Sequence, residues 1–228
     1  MKIELVSYTQ PVKRLQDQGI ITPIDLIAFC ARVSNPANQF NNDTSEKLVN
    51  YLIKNKHWSP LEMVDMTLEI ETTRDIARQI LRHRSFVFQE FSQRYAVADL
   101  GYEFRDARLQ DKKNRQNSID VEDFGLNSEW KTAQMRVMME AQNAYDWAID
   151  KGIAKEVARS VLPEGMVLSR LYMKGTLRSW VHCIDLRSGN GTQKEHMLIA
   201  IEAAKVISQV FPIEKILSTN NQERGKNE

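Results

Sequence analysis

Between Met63 and Glu71 apolar and polar residues alternate without a break. Val64, Met66, Leu68 and Ile70 fall on one face, and Asp65, Thr67, Glu69 and Glu71 on the other. A period of two is that of a strand with one buried face. Residues 2–8 read as a second, short strand. Elsewhere the spacing is helical. Asp25 to Ser34 is a helix candidate whose apolar content is Leu26, Ile27, Phe29, Cys30 and Val33. Asn41-Asn42-Asp43-Thr44-Ser45 is a cluster of turn and cap residues, and Glu46 to Lys56 follows as a helix. Ser59-Pro60-Leu61-Glu62 has the pattern of a capping box with proline at the first helical position. Thr73 opens a helix to about Arg84. Its apolar side is Ile76, Ala77, Ile80 and Leu81, while Gln79, Arg82 and His83, at i, i+3 and i+4, share the other side.

The second half is less regular. Residues 104–129 are polar and charged and read as a long surface excursion with the character of a lid. A helix over Ser128 to Lys151 ends at Gly152, and a short one from Lys155 ends near Pro163. Leu168 to Met173 fits a strand or an irregular segment. Thr176 to Arg187 and Gln193 to Val210 are helical, separated by Ser188-Gly189-Asn190-Gly191. Residues 219–228 are polar and expected to be disordered. No repeat and no linker divides the chain, so residues 1–218 are expected to form one domain.

Composition narrows the function classes. The chain has 228 residues, a net charge of +1, 42% apolar and 27% charged residues. A balance this even excludes a general nucleic-acid or membrane-surface binder, so any bound anion must be held by a local group of arginines. Cys30 and Cys183 are far apart and lack CxxC spacing. Together with His57, His83, His182 and His196, which show no HExxH spacing, they give no metal site. The first residues carry no apolar core of a signal peptide, and no apolar run approaches the ~18 residues of a membrane span. A cytoplasmic protein is expected.

Candidate chemistry concentrates in Arg82-His83-Arg84-Ser85-Phe86-Val87-Phe88-Gln89-Glu90-Phe91-Ser92-Gln93-Arg94. Arginine binds phosphate bidentately and stays charged at any working pH. Arg82, Arg84 and Arg94 are interleaved with Phe86, Phe88 and Phe91, which should be partly buried. There is no GxxxxGK loop, no GxGxxG after a strand and no GxSxG elbow. Phosphate must therefore be held by side chains, and the hard chemistry left to a cofactor. Taken singly, each residue has a plainer reading: an arginine on a solvated helix, a structural histidine, a glutamate paired with arginine.

The combined pattern resembles the flavin-dependent thymidylate synthases. Arg82-His83-Arg84, seven residues, then Ser92 and Arg94 is similar to that family's signature. Five further segments match in order: Ala31-Arg32-Val33-Ser34; His57-Trp58-Ser59-Pro60-Leu61-Glu62; Ala77-Arg78-Gln79; Ala158-Arg159-Ser160-Val161-Leu162-Pro163; and Leu177-Arg178-Ser179 with Asp185-Leu186-Arg187. The resemblance spans residues 31 to about 196. It departs from the pattern at Met63 and Gly191, where the family usually has histidine, at Gln93, where it has glycine, and at His182, where it has asparagine.

The resemblance implies an α+β fold, helices around a small antiparallel sheet, and a homotetramer with FAD between subunits. It implies synthesis of dTMP from dUMP, with methylenetetrahydrofolate as carbon donor and NADPH reducing the FAD. Carried over position by position, Gln79, Arg82, Glu90, Ser92, Gln93, Arg94, Arg159 and Arg187 would contact dUMP. Arg159 and Arg94 would clamp its phosphate, and Arg187 would face the pyrimidine carbonyls and favour ionisation at N3, the catalytic role. FAD would meet Ser34, Ser59, Arg82, His83, Arg84, Glu90, Thr176, Leu177, Arg178 and His182. Ser92, with no histidine base implied beside it, is expected to hydrogen-bond rather than attack. Cys30 and Cys183 read as plain buried cysteines outside the arginine cluster, so a mechanism without an enzyme nucleophile is what the chain supports. Two other readings stand beside this one: a diverged homologue that does not methylate, and a protein that uses the arginine cluster to bind nucleotide or RNA. The even charge counts against RNA.

Overall fold

The alternating segment becomes the spine of a four-stranded sheet. The structure, a computed structural model, describes residues 1–189 and 191–213. Its elements in chain order are β1 (Lys2–Tyr8), α1 (Lys13–Gln16), α2 (Pro23–Ala31), α3 (Ser45–Lys54), β2 (Asp65–Thr73), α4 (Arg74–Ile80), β3 (Val87–Glu90), β4 (Arg108–Gln110), β5 (Ser118–Asp120), α5 (Phe124–Asp150), α6 (Lys155–Ala158), β6 (Leu168–Thr176), α7 (Leu177–Arg187) and α8 (Lys194–Ile207). Strands run in the order β1-β2-β6-β3 with every pairing antiparallel, and β4 and β5 form a separate hairpin. This is the α+β architecture, helices around a small antiparallel sheet, that the family resemblance implied.

One face of the sheet is the core. Met66, Leu68 and Ile70 of β2 and Leu171 and Met173 of β6 are buried against α7 and α8, which bring Trp180, Ile184, Ile199 and Ala203. Trp180 settles its indole N–H on the Met66 carbonyl oxygen at 3.2 Å, so burying it leaves no unsatisfied donor. The opposite face carries charge: Arg170 of β6 pairs with Glu71 and Glu69 of β2 at 2.9 and 3.5 Å. A smaller cluster, Met138, Tyr145 and Ala148 of α5 with Ala158, Leu162 and Val167, anchors the long helix.

Several expected boundaries moved, each for a visible reason. Ser59–Met63 is a 3₁₀ turn with no side-chain cap bond; Glu62, expected to complete a capping box, instead pairs with Arg178. The helix expected to reach Arg84 ends at Ile80, because the chain turns to bury Phe86. Phe86 lies directly on Gly175: a Cβ at that glycine would stand 2.4 Å from the ring, so β6 needs glycine there for the approach. β3, four residues on the sheet edge, was not anticipated; so short a run carries little periodic signal. Residues 104–129 are not a structureless excursion. They hold the β4–β5 hairpin and the first turn of α5, where the Asp123 carboxylate caps Leu126 N at 2.9 Å. Leu168 onward is a full strand, longer than foreseen. The expectation for residues 219–228 lies outside the described residues.

Candidate functional site

The signature segment leaves α4, crosses β3 and ends in a turn, spreading its side chains over neighbouring clusters. The first is an open cleft of about 440 Å³ lined by Arg74, Arg78, Gln93, Glu156, Arg159, Ser160, Leu162 and Glu164. Glu90 organises its wall. It accepts from Ser169 Oγ at 2.9 Å and from Arg78 Nη1 at 3.3 Å, with Arg74 Nη1 at 3.7 Å. Glu164 lies 3.7 Å from both Arg74 and Arg78. Arg94 reaches the rim through Glu156 at 3.4 Å. Gln93 is only 3% exposed, and its Nε2 has no hydrogen-bond partner. A buried free donor beside three guanidinium groups has the chemistry to receive an acceptor-rich group, because leaving such a donor unpaired costs about 1–3 kcal/mol. Glutamine replaces the glycine of the resembling family here without strain, since Lys56 is the one non-glycine with positive φ among the described residues.

The second cluster surrounds His83. Arg187, the last residue of α7, donates from Nε to His83 Nε2 at 3.2 Å. The accepting nitrogen must carry a lone pair, so the imidazole is neutral with its proton on Nδ1. Burial, and next the Arg187 charge, hold its pKa below the ordinary 6.5. Behind it lies His196, 3% exposed, with ring centres 5.8 Å apart; burial first, then Arg187 and His83, push its pKa down to about 4. Cys183 was expected to lie away from the arginines. Its Sγ instead sits 4.0 Å from His83 Nε2, on the same helix as Arg187. Proximity does not activate it: burial pushes the thiol up to about 11, the wrong direction for a thiolate nucleophile.

The third cluster forms where the Ser59 turn meets α7. Thr176 caps that helix by accepting from Ser179 N, buried Leu177 pins its first turn, and Arg178 pairs with Glu62. The His182 ring stands edge-on to Trp58 at 4.4 Å, and Ser179 Oγ donates to the Ser85 carbonyl oxygen at 3.2 Å, tying α7 to the signature segment. Ser59, Arg82 and Arg84 are exposed, and neither guanidinium has a hydrogen bond or ion pair among the described residues. Ser92 Oγ accepts from Arg94 N at 3.4 Å, with no histidine bonded to it. Ser34 is exposed in the turn after α2, and its side chain makes no hydrogen bond to these clusters among the described residues. Gln79 donates from Nε2 to Gln193 Oε1 at 2.7 Å.

Sequence reasoning missed Arg74, His196, Gln193 and Glu195. Arg74 did carry a signal. It is a cation at the first position of a helix, against the dipole, and it is buried to 5% exposure.

Fold and site together describe an α+β protein with an open cleft lined by Arg74, Arg78 and Arg159 and with the pKa of both thiols raised by burial. A family model described as "Thymidylate synthase complementing protein" matches residues 20–213, and the chain belongs to that family. The chain is 50% identical over 212 residues to the flavin-dependent thymidylate synthase of Synechocystis, covering 93% of this chain and 96% of that protein. It is 47% identical, with the same coverage, to the probable flavin-dependent thymidylate synthase of Paramecium bursaria Chlorella virus 1. Among solved structures, a UMP/dUMP methylase of Streptomyces cacaoi bound with 5-Br dUMP shares the fold. Its TM-score is 0.79 at 24% identity, over 96% of this chain and 94% of that one.

Proposed function

We propose that the chain is a flavin-dependent thymidylate synthase. It converts dUMP to dTMP, with methylenetetrahydrofolate giving the carbon and FAD, reduced by NADPH, giving the hydride. The observation that carries this reading is the pairing of an anion cleft, finished by the unpartnered Gln93 donor, with a second cluster in which the one nearby thiol is held protonated. A synthase that attacked the pyrimidine itself would need a thiolate.

Arg159, Arg78 and Gln93 hold the dUMP phosphate, with Arg94 drawn in as Glu156 gives way to the anion. Glu90 keeps Arg74 and Arg78 aimed at the cleft. Ser92 hydrogen-bonds. Arg187 faces the pyrimidine carbonyls and stabilises negative charge at N3, and the neutral His83 fixes its guanidinium plane. The residues fit FAD: Arg82 and Arg84 are exposed cations whose guanidinium groups have no protein partner among the described residues, suited to a pyrophosphate. Arg178, with Ser34, Ser59, His83, Thr176, Leu177 and His182, supplies further contacts. When bound, FAD supplies the hydride; a fixed cation near its ring favours the reduced anion. Residues 1–218 act as one catalytic domain in the cytoplasm, assembled as a homotetramer. The exposed Trp130, Met135, Val137, Met139 and Trp147 of α5 support assembly, as single-chain solvent exposure of so many large apolar groups on one helix is unfavourable.

The test is release of tritium from C5-labelled dUMP by the FAD-loaded protein, with NADPH and methylenetetrahydrofolate present. Release is expected, and it is expected to vanish in Arg187→Ala while dUMP still binds. A colourless protein that takes up no added FAD would overturn the reading. Unchanged turnover in Arg187→Ala would remove the role given to that arginine.

A further inference from the structure

A chain of side chains runs from the β4–β5 hairpin to Gln79. Arg108 Nη2 donates to Glu195 Oε1 at 2.5 Å, with Arg105 Nε 3.7 Å from the same oxygen. Gln193 Nε2 donates to Glu195 Oε2 at 2.9 Å, and Gln79 Nε2 donates to Gln193 Oε1 at 2.7 Å. We infer that Gln193 and Glu195 are positioning residues that fix which end of the Gln79 amide faces the substrate, so that Gln79 offers dUMP a hydrogen-bond acceptor. The inference rests on the reading of Gln79 as a dUMP ligand.

The direction of the chain follows from chemistry. A carboxylate only accepts. Glu195 therefore requires the NH₂ end of Gln193, which turns the Gln193 carbonyl toward Gln79, which in turn must donate. Reversing either amide would set two acceptors or two donors face to face. Gln79 Oε1 has no hydrogen bond among the described residues. Gln193 also departs from a local rule: it occupies the N-cap of α8 yet makes no capping bond, its side chain being engaged by Glu195 and Gln79 instead.

dUMP has two groups that donate, the 3′-hydroxyl and, while the ring is still neutral, N3–H; its phosphate and carbonyls accept. An acceptor at Gln79 selects one of those two. Glu195→Gln keeps the shape and the bond from Arg108, but it reverses the chain: the new amide donates to Gln193, Gln193 donates to Gln79, and Gln79 now presents N–H. The swap Gln193→Glu with Glu195→Gln places the carboxylate in the middle, where it accepts from both neighbours and restores the original direction at Gln79.

The experiment measures binding of dUMP, its 3′-deoxy analogue and its N3-methyl analogue to the FAD-loaded protein, in the wild type, Glu195→Gln and the swap. The wild type is expected to prefer dUMP over one analogue by about tenfold, the worth of one hydrogen bond of ~1.4 kcal/mol. That preference should fall to about one in Glu195→Gln and return in the swap. Which analogue loses in the wild type tells whether the donor is the hydroxyl or the ring N–H. Equal preferences in all three proteins overturn the inference and leave the function intact, as does a preference lost in Glu195→Gln that the swap does not restore. Wild-type protein that takes up FAD and binds no dUMP overturns both.

Discussion

The smallest unit with a consequence for rate is the bond from Arg187 Nε to His83 Nε2. It exists only while His83 is neutral. Burial and the Arg187 charge keep the His83 pKa below 6.5, so the bond holds at neutral pH and is lost as pH falls through that lowered value. Turnover is expected to show an acid limb below pH 6.5. In His83→Gln, whose carbonyl accepts without titrating, the limb should disappear from the pH–rate profile whatever the remaining rate. Cys183 makes the opposite case. Its thiol, pushed up to about 11, has no part in the proposed chemistry, so Cys183→Ser should keep tritium release on the order of the wild type. Loss of release there would return the thiol to the mechanism. Arg82, His83, Arg84 and Arg94 were legible in the sequence because they stand in one contiguous segment with fixed spacing, while Arg159, Arg178 and Arg187 were read only through the family resemblance. His196 was not legible, because its meaning comes from what buries it, and burial is not written in residue type; Arg74 showed only as a cation at a helix start, and its burial had to come from the structure.

At the scale of elements, the junction of β3 and β6 controls the site. Phe86 leaves the signature segment to pack on Gly175 and meets Trp180 edge-on at 4.8 Å. Gly175→Ala forces the ring aside and is expected to destabilise the fold by about 1–3 kcal/mol, the usual range for overpacking. A urea titration would read this as a lower midpoint. Phe86→Leu in the same chain should recover part of the loss, a coupling that appears only if the two groups collide. The long alternating strand and the amphipathic helices were legible because their periods repeat over many residues. β3 and the hairpin strands β4 and β5 run to four residues or fewer, so tertiary pairing decides them rather than local pattern.

For the whole molecule, acid sensitivity follows from His196. Its unfolded pKa is the ordinary 6.5 and its folded value about 4, so between these limits the unfolded chain binds a proton that the native one refuses. Its contribution is complete above pH 6.5 and is lost as pH falls toward 4, about 3 kcal/mol in all. Denaturant midpoints at pH 7 and pH 4.5 should differ by less in His196→Leu than in the wild type. Assembly is a second molecular property. Met139→Glu or Trp147→Glu on α5 is expected to shift the proposed tetramer toward smaller species in analytical ultracentrifugation, and an unshifted profile would place the interface elsewhere. The sequence by itself determined that β2 is a strand with one buried face and that arginines gather between Arg82 and Arg94, because periodicity and a run of arginines are local properties; the strand's ends, Asp65 and Thr73, each lie two residues further along the chain than those of the alternation, Met63 and Glu71. Only the tertiary structure decided that Glu90 braces Arg74 and Arg78, that Cys183 meets His83, and that Gln193, held by Glu195, reaches Gln79. Those contacts join residues far apart in the chain, where neither spacing nor composition carries information about who will meet.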